Sequence, residues 1–195
     1  MKKIVFVITL SFFLVGCSEI SSSEPLTYNE TSREVTTIEH LDSKMFTHHY
    51  MYDNMDRGNH DYFNKTLVVD PNYKEVSRGD VVLFEKDNGE RSLSRIVALP
   101  EETIAIQKGQ IYINNKKLDT FYGFAHRAGL DKKAYVELME NETNQKSVKE
   151  VFNYSMKNLT LSNEEYYLVS DDWFRGEMLV VRKDKIIGQV MGYKK

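Results

Sequence analysis

Arg78-Gly79-Asp80-Val81-Val82-Leu83-Phe84 is followed, across Asn88-Gly89, by Leu93-Ser94-Arg95-Ile96-Val97-Ala98-Leu99, and this pair of runs sets the architecture. Both are dense in β-branched and bulky apolar residues, which suit a pleated, half-buried surface. Asn88 and Gly89 tolerate the positive φ that a tight hairpin demands, so the runs read as neighbouring strands. Similar short runs lie at 67–69, 103–106 and 110–113, and Asn114-Asn115 offers a second turn before Leu118. The period then changes. Leu130, Ala134, Tyr135, Leu138 and Met139, and later Val148, Val151, Phe152 and Met156, fall at helical spacing. Strand-like runs return at 166–169, 178–181 and 185–190, with no internal repeat. The expectation is a mostly β (β-rich α+β) domain over residues 38–195, carrying a helical insertion at about 126–160.

Towards the N-terminus, Lys2 and Lys3 precede an apolar run from Ile4 to Val15 broken only by Thr9 and Ser11, the pattern of a secretion signal. The run is too short to cross a hydrocarbon core of about 30 Å, which needs roughly 20 helical residues. It ends in Leu14-Val15-Gly16-Cys17, the aliphatic-x-small-Cys order of a lipobox, and Cys17 is the chain's single cysteine. Residues 1–16 are therefore expected to be removed and Cys17 to carry diacylglycerol and acyl chains such as palmitate. Two or three chains on one residue make a lasting attachment to the bilayer. The expected location is the outer face of a cytoplasmic membrane, and the lysine-rich style suggests a Gram-positive cell. Residues 17–37, rich in Ser, Thr and Glu and lacking a period, read as a flexible tether.

The rest must fold in water. A content of 41% hydrophobic and 12% aromatic residues is enough to bury a core, and no disulfide is available to replace one. Loss of the leader leaves 24 basic against 29 acidic residues, a net charge of −5. Without a cluster of Lys and Arg, nucleic acid is excluded as a partner, and docking on anionic lipid by charge is disfavoured.

Read in order, the strands resemble signal peptidase I, the Ser/Lys endopeptidase of peptidase family S26 that removes signal peptides. Arg78-Gly79-Asp80-Val81-Val82 matches that family's Arg-Gly-Asp-aliphatic-Val segment. Ser94-Arg95-Ile96-Val97-Ala98-Leu99-Pro100-Glu101-Glu102 is similar to its Lys-Arg-Val-Ile-Gly-Leu-Pro-Gly-Asp, and runs on into Ile111-Tyr112-Ile113-Asn114-Asn115-Lys116. Tyr167-Leu168-Val169-Ser170-Asp171-Asp172 stands where the family has an apolar run leading into Gly-Asp-Asn, and Ile186-Ile187-Gly188 matches its closing strand. The resemblance covers roughly residues 45–192. It implies a catalytic sheet domain with a smaller inserted domain, and an extended substrate added as a strand at the cleft.

The family's chemistry needs a serine hydroxyl and a lysine whose amine takes its proton. Neither is present. The family's Ser-Met-x-Pro-Thr aligns with Asn54-Met55-Asp56-Arg57-Gly58, placing Asn54 at the nucleophile position, and Ser94 stands where the lysine should precede Arg95. A carboxamide is a poor nucleophile and Arg95 stays protonated, so no catalytic residue is assigned. The nearest other serines, Ser43 and Ser77, are too far in sequence for a register slip to supply one.

Other constellations are weaker. His48, His49, Asp53, Asp56, His60 and Asp61 are metal-ligating types, with His48, His60 and Asp56 the best candidates, but their spacing fits no metal signature. No metal or other cofactor is expected. Ser170 lacks the Gly-x-Ser-x-Gly elbow of another serine hydrolase. Tyr166, Tyr167, Trp173 and Phe174 read as core, or as an apolar rim on the cleft. The favoured function is a non-catalytic, membrane-tethered relative that binds an extended peptide or an exported protein, or regulates secretion. An active peptidase with displaced catalytic residues and a surface interaction scaffold are the alternatives.

Overall fold

The structure is a computed structural model that describes residues 24–28, 31–73, 76–138 and 148–195. The expected leader, the lipidation site Cys17 and Met139 of the helical pattern lie outside the described residues. Within them are twelve strands: β1 (Thr37–Ile38), β2 (Phe46–Tyr50), β3 (Lys65–Asp70), β4 (Val81–Glu85), β5 (Arg91–Ala98), β6 (Thr103–Gln107), β7 (Gln110–Ile113), β8 (Lys116–Lys117), β9 (Met156–Thr160), β10 (Glu165–Val169), β11 (Met178–Arg182) and β12 (Ile186–Lys194). One α-helix, α1 (Lys132–Leu138), and a π-helical turn at Val148–Phe152 complete the inserted region.

The larger sheet runs β11-β10-β5-β4-β12-β3-β2, with β1 added parallel to β12, and the smaller runs β8-β7-β6-β9. The mostly β expectation is met. β5 is central: every residue from Ser92 to Ala98 is buried, so its polar members Ser92, Ser94 and Arg95 must all find partners inside the protein. The β4–β5 turn closes through Lys86 N to Glu90 O at 2.8 Å, with Gly89 at φ +81° and the Asn88 side chain accepting from Glu90 N. At the β7–β8 turn, Asn114 and Asn115 both take positive φ, 50° and 65°, which asparagine tolerates better than most residues.

Two expectations are corrected. The spacing at 148–156 predicts a helix through Met156, but the chain makes only the π-helical turn and then enters β9, which pairs with β6 in the register Ile104↔Leu159 and Ile106↔Met156. An open edge of β6 offers a row of backbone hydrogen bonds, and that tertiary ladder outweighs a helical period carried by four apolar residues. The region 126–160 is thus not simply a helical insertion, since it completes a sheet begun at Thr103. Tyr135, Val151 and Phe152 do bury against that sheet's core, beside Ile104, Ile106, Ile111 and Ile113.

The second correction concerns the tether. Its described part is docked. Leu26 packs against the core of the smaller sheet, donating from its N–H to Lys117 O at 2.9 Å and accepting from Asp119 N at 2.8 Å. Tyr28 and Arg33 then lie within 5.1 Å and 5.4 Å of Arg78 and Phe121 in cation–π contacts. Thr36 O accepts from Tyr193 N at 3.0 Å where β1 joins β12. Residues 24–28 and 31–38 therefore lie as a strap over both sheets. One partly buried leucine and a few backbone bonds leave no period for sequence reading to find. Truncation of residues 1–38 is expected to lower Tm by about 5 °C or more relative to truncation of residues 1–23, at roughly 2–4 °C per kcal/mol for a domain of this size. Equal melting curves would contradict the docking.

Candidate functional site

β2 ends at Tyr50, and the turn that follows carries Asn54 inward to the point where β5 and β10 diverge. There Asn54 Nδ2 donates to Leu93 O at 2.9 Å and to Ser170 Oγ at 3.1 Å. Ser170 Oγ lies 3.0 Å from Ser94 Oγ and accepts from Glu177 N at 3.1 Å. Tyr50 donates its hydroxyl to Asn54 Oδ1 at 2.6 Å and accepts from Leu93 N at 3.2 Å. The four side chains that bond to one another here are polar and buried: Asn54 is 7% exposed, Tyr50 1%, Ser94 and Ser170 0%. Burial holds the Tyr50 phenol above its usual pKa despite these hydrogen bonds, so it stays protonated and able to donate. Asn54 and Ser94, matched separately to nucleophile and base positions, are thus bridged by one hydroxyl, Ser170.

Among the described residues, no lysine, histidine or carboxylate bonds to Ser94 or Ser170. Lys86, on the nearby hairpin, is ion-paired with Glu177. Sequence reading missed the part of Tyr50 and Ser170, and could hardly have found it: Asn54 and Ser170 meet across 116 residues.

The remaining matched residues form a buried lattice around the cluster. Arg95 donates through Nε and Nη2 to the two oxygens of Asp171, at 2.9 and 2.6 Å, and through Nη1 to Gly79 O at 2.7 Å. Burial alone pulls the Arg95 pKa down, but the Asp171 charge more than reverses it; Asp171, likewise disfavoured by burial, is held below its usual value by Arg95 and Arg57. Arg78 bonds Val97 O and Glu102, and Glu102 accepts from Leu99 N at 2.7 Å, closing the turn through Pro100. Asp80 caps Ser77 N at 2.7 Å. Gly79, at φ +96°, lets the strap pass close: a side-chain carbon there would meet Thr31 Oγ1 at 2.3 Å. Asp172 accepts from Ala128 N, Phe174 N and Arg175 N, while its own N–H donates to Asn54 O at 2.9 Å. Met55 is fully buried beside Tyr50.

Outside this lattice, a cleft of about 290 Å³ opens between Tyr52, Asp53 and Asn54 on one wall, Arg91 and Ser92 on another, and Arg175 to Glu177 on the third. Arg175 reaches Asp53 at 3.0 Å across its mouth. Phe174 is half-exposed beneath Arg127, whereas Tyr166, Tyr167 and Trp173 are buried as core. Of the metal candidates, Asp56 accepts from Gly58 N and His60 N and lies 3.2 Å from the His60 ring, while His48 stands on β2 opposite Leu67. Among the described residues no three such side chains converge.

Two largely antiparallel sheets, with a polar cluster where β5 and β10 diverge, define a mostly β domain. The chain belongs to the signal peptidase, peptidase S26 family, whose model matches residues 1–190. That family comprises serine peptidases and is membrane-associated; no helix of the described residues is long and apolar enough to cross a membrane. A solved signal peptidase I from Enterococcus faecalis V583 is similar at 20% identity and a TM-score of 0.41, over 60% of this chain and 97% of that one. No curated protein matches.

Two outcomes follow. Asp171→Ala leaves Arg95 buried without its counter-charge and is expected to cost about 3–5 kcal/mol in urea unfolding. His126 is held down to about 4, by burial first and then by the Arg57 charge beside it. Its folded pKa lies below the unfolded value of about 6.5, so between these values the unfolded chain takes a proton that the folded chain refuses. Stability is therefore lost as pH falls, by about 2 kcal/mol from this group between pH 7 and 5. His126→Gln is expected to flatten that slope in urea unfolding at the two pH values.

Proposed function

We propose that this chain is a membrane-tethered, non-catalytic member of the signal peptidase I family that holds an extended peptide in the cleft beside Asn54. The observation that carries this reading is the pair of residues at the nucleophile and base positions. Asn54 has no hydroxyl proton to lose and spends its amide on Leu93 O and Ser170, and Ser94, in place of a lysine, cannot act as base near neutral pH. Peptide retention is supported by the cleft's walls. Strand addition needs an open backbone edge and no nucleophile, and the β5 residues around Arg91 present one.

Incubation of the protein with a fluorogenic peptide carrying an Ala-x-Ala signal-peptide site, in detergent, is expected to give no turnover, while anisotropy of the same peptide with a fluorescein label reports saturable binding. Turnover above a heat-killed control that one substitution abolishes would instead support a peptidase with displaced catalytic residues.

The tether is part of the same reading. Cleavage after Gly16 and acylation of Cys17 would fix the chain to the outer face of the membrane. With Leu26 docked, only eight residues separate lipid from fold, a reach of at most about 30 Å. Cys17→Ser is expected to abolish incorporation of an alkyne-palmitate label and to prevent removal of the leader; a variant still labelled and processed would contradict lipidation at this residue.

A further inference from the structure

The hydrogen bonds along β5 follow its parity. Ile96 exchanges bonds with the β4 side, from its N–H to Asp80 O at 2.9 Å and from Gly79 N to its carbonyl at 2.8 Å. Even-numbered residues thus face β4, and odd-numbered ones face the other way. On that side Arg95 is paired with Val169 of β10. One step earlier, at Leu93, β10 has already turned off into Ser170, and the strand edge is open to whatever lies in the cleft.

At Leu93 the occupant is not a strand but two side chains. The Tyr50 hydroxyl accepts from Leu93 N at 3.2 Å, the Asn54 amide donates to Leu93 O at 2.9 Å, and the two are joined by the 2.6 Å bond from Tyr50 to Asn54. In an antiparallel pair, a hydrogen-bonded residue exchanges one N–H and one C=O with its partner. The phenol oxygen here stands in for the partner's carbonyl, and the carboxamide NH₂ for its N–H. Both side chains are buried, so water does not compete for these positions.

We propose that Tyr50 and Asn54 form a latch that imitates one residue of an added peptide strand and occupies the inner end of the cleft. This rests on the peptide-binding reading above and specifies how binding is regulated. A peptide can pair at Arg91, whose backbone faces the cleft by the same parity, but reaches Leu93 only by displacing the latch, and β10 closes the edge beyond it at Arg95. Tyr52, Asp53 and Ser92, which line the mouth, hold it in its outer register.

The test compares the full-length chain with Tyr50→Phe in detergent, using two readouts. Hydrogen exchange at the Leu93 amide is expected to be slow in the native chain and at least about tenfold faster in the variant, which loses the acceptor but keeps the ring. The fluorescein-labelled Ala-x-Ala peptide is expected to bind Tyr50→Phe with a Kd lower by about tenfold, the worth of one to two freed hydrogen bonds, and to restore slow exchange at Leu93. Restored protection separates a released latch from a merely loosened structure. Equal exchange in the two proteins overturns the latch, whatever the peptide does. Faster exchange with equal affinities overturns it as a gate while leaving peptide binding intact, and no binding to either protein overturns the peptide reading and the latch's role together.

Discussion

The carboxylate of Asp171 and the guanidinium of Arg95 sit inside the protein, one at the end of β10 and one in the middle of β5, with side chains 1% and 5% exposed. Two charges removed from water are stabilising only when their geometry is nearly complete, and here each of the three guanidinium nitrogens donates: Nε and Nη2 to Asp171, and Nη1 to the carbonyl of Gly79. That constraint fixes the relative positions of β5, β10 and the turn into β4. It places Ser170 next to Ser94, and through Asp172 it draws in the Asn54 turn. Much of the family resemblance in this chain is therefore a resemblance of framework. Arg78, Gly79, Asp80, Arg95, Asp171 and Asp172 are all spent on holding strands together.

A framework with Asn54 and Ser94 at the positions matched to nucleophile and base has a distinct chemistry. A serine and a lysine in the same cluster would need a desolvated amine poised to take a proton. Asn54 and Ser94 need neither, since neutral donors and acceptors satisfy one another at little electrostatic cost. The cluster around Asn54 and Ser94 is a set of hydrogen bonds in which Asn54 uses both its amide and its carbonyl oxygen. Such a set rigidifies the place where it sits, and it extends to the backbone of Leu93, the inner wall of the cleft.

How much of this was legible depended on range. The β4–β5 hairpin was readable because Asn88-Gly89 and the flanking apolar runs are local signals, and Asn54 and Ser94 were picked out because each sits inside a short ordered match. The partners that give those two residues their role were hidden: Tyr50 lies four residues from Asn54 but looks like an ordinary strand aromatic, and Ser170 reaches it from 116 residues away. The start of β9 was misread because Met156 continues the helical spacing of Val148, Val151 and Phe152, and only the unpaired edge of β6 decides otherwise. The strap escaped because docking through Leu26 and backbone bonds leaves a composition typical of a tether.

The central claim is that Asn54 is structural: its amide holds the cluster together where a nucleophile would stand. The most direct measurement is the unfolding free energy of Asn54→Ser, which restores the family's hydroxyl but cannot span Leu93 O, Ser170 and Tyr50 at once. A loss of about 1–3 kcal/mol is expected, the cost of leaving buried donors and acceptors unpaired, with no gain in cleavage of a signal peptide. Unchanged stability together with new turnover would contradict the claim and mark the position as a catalytic seat with one residue missing.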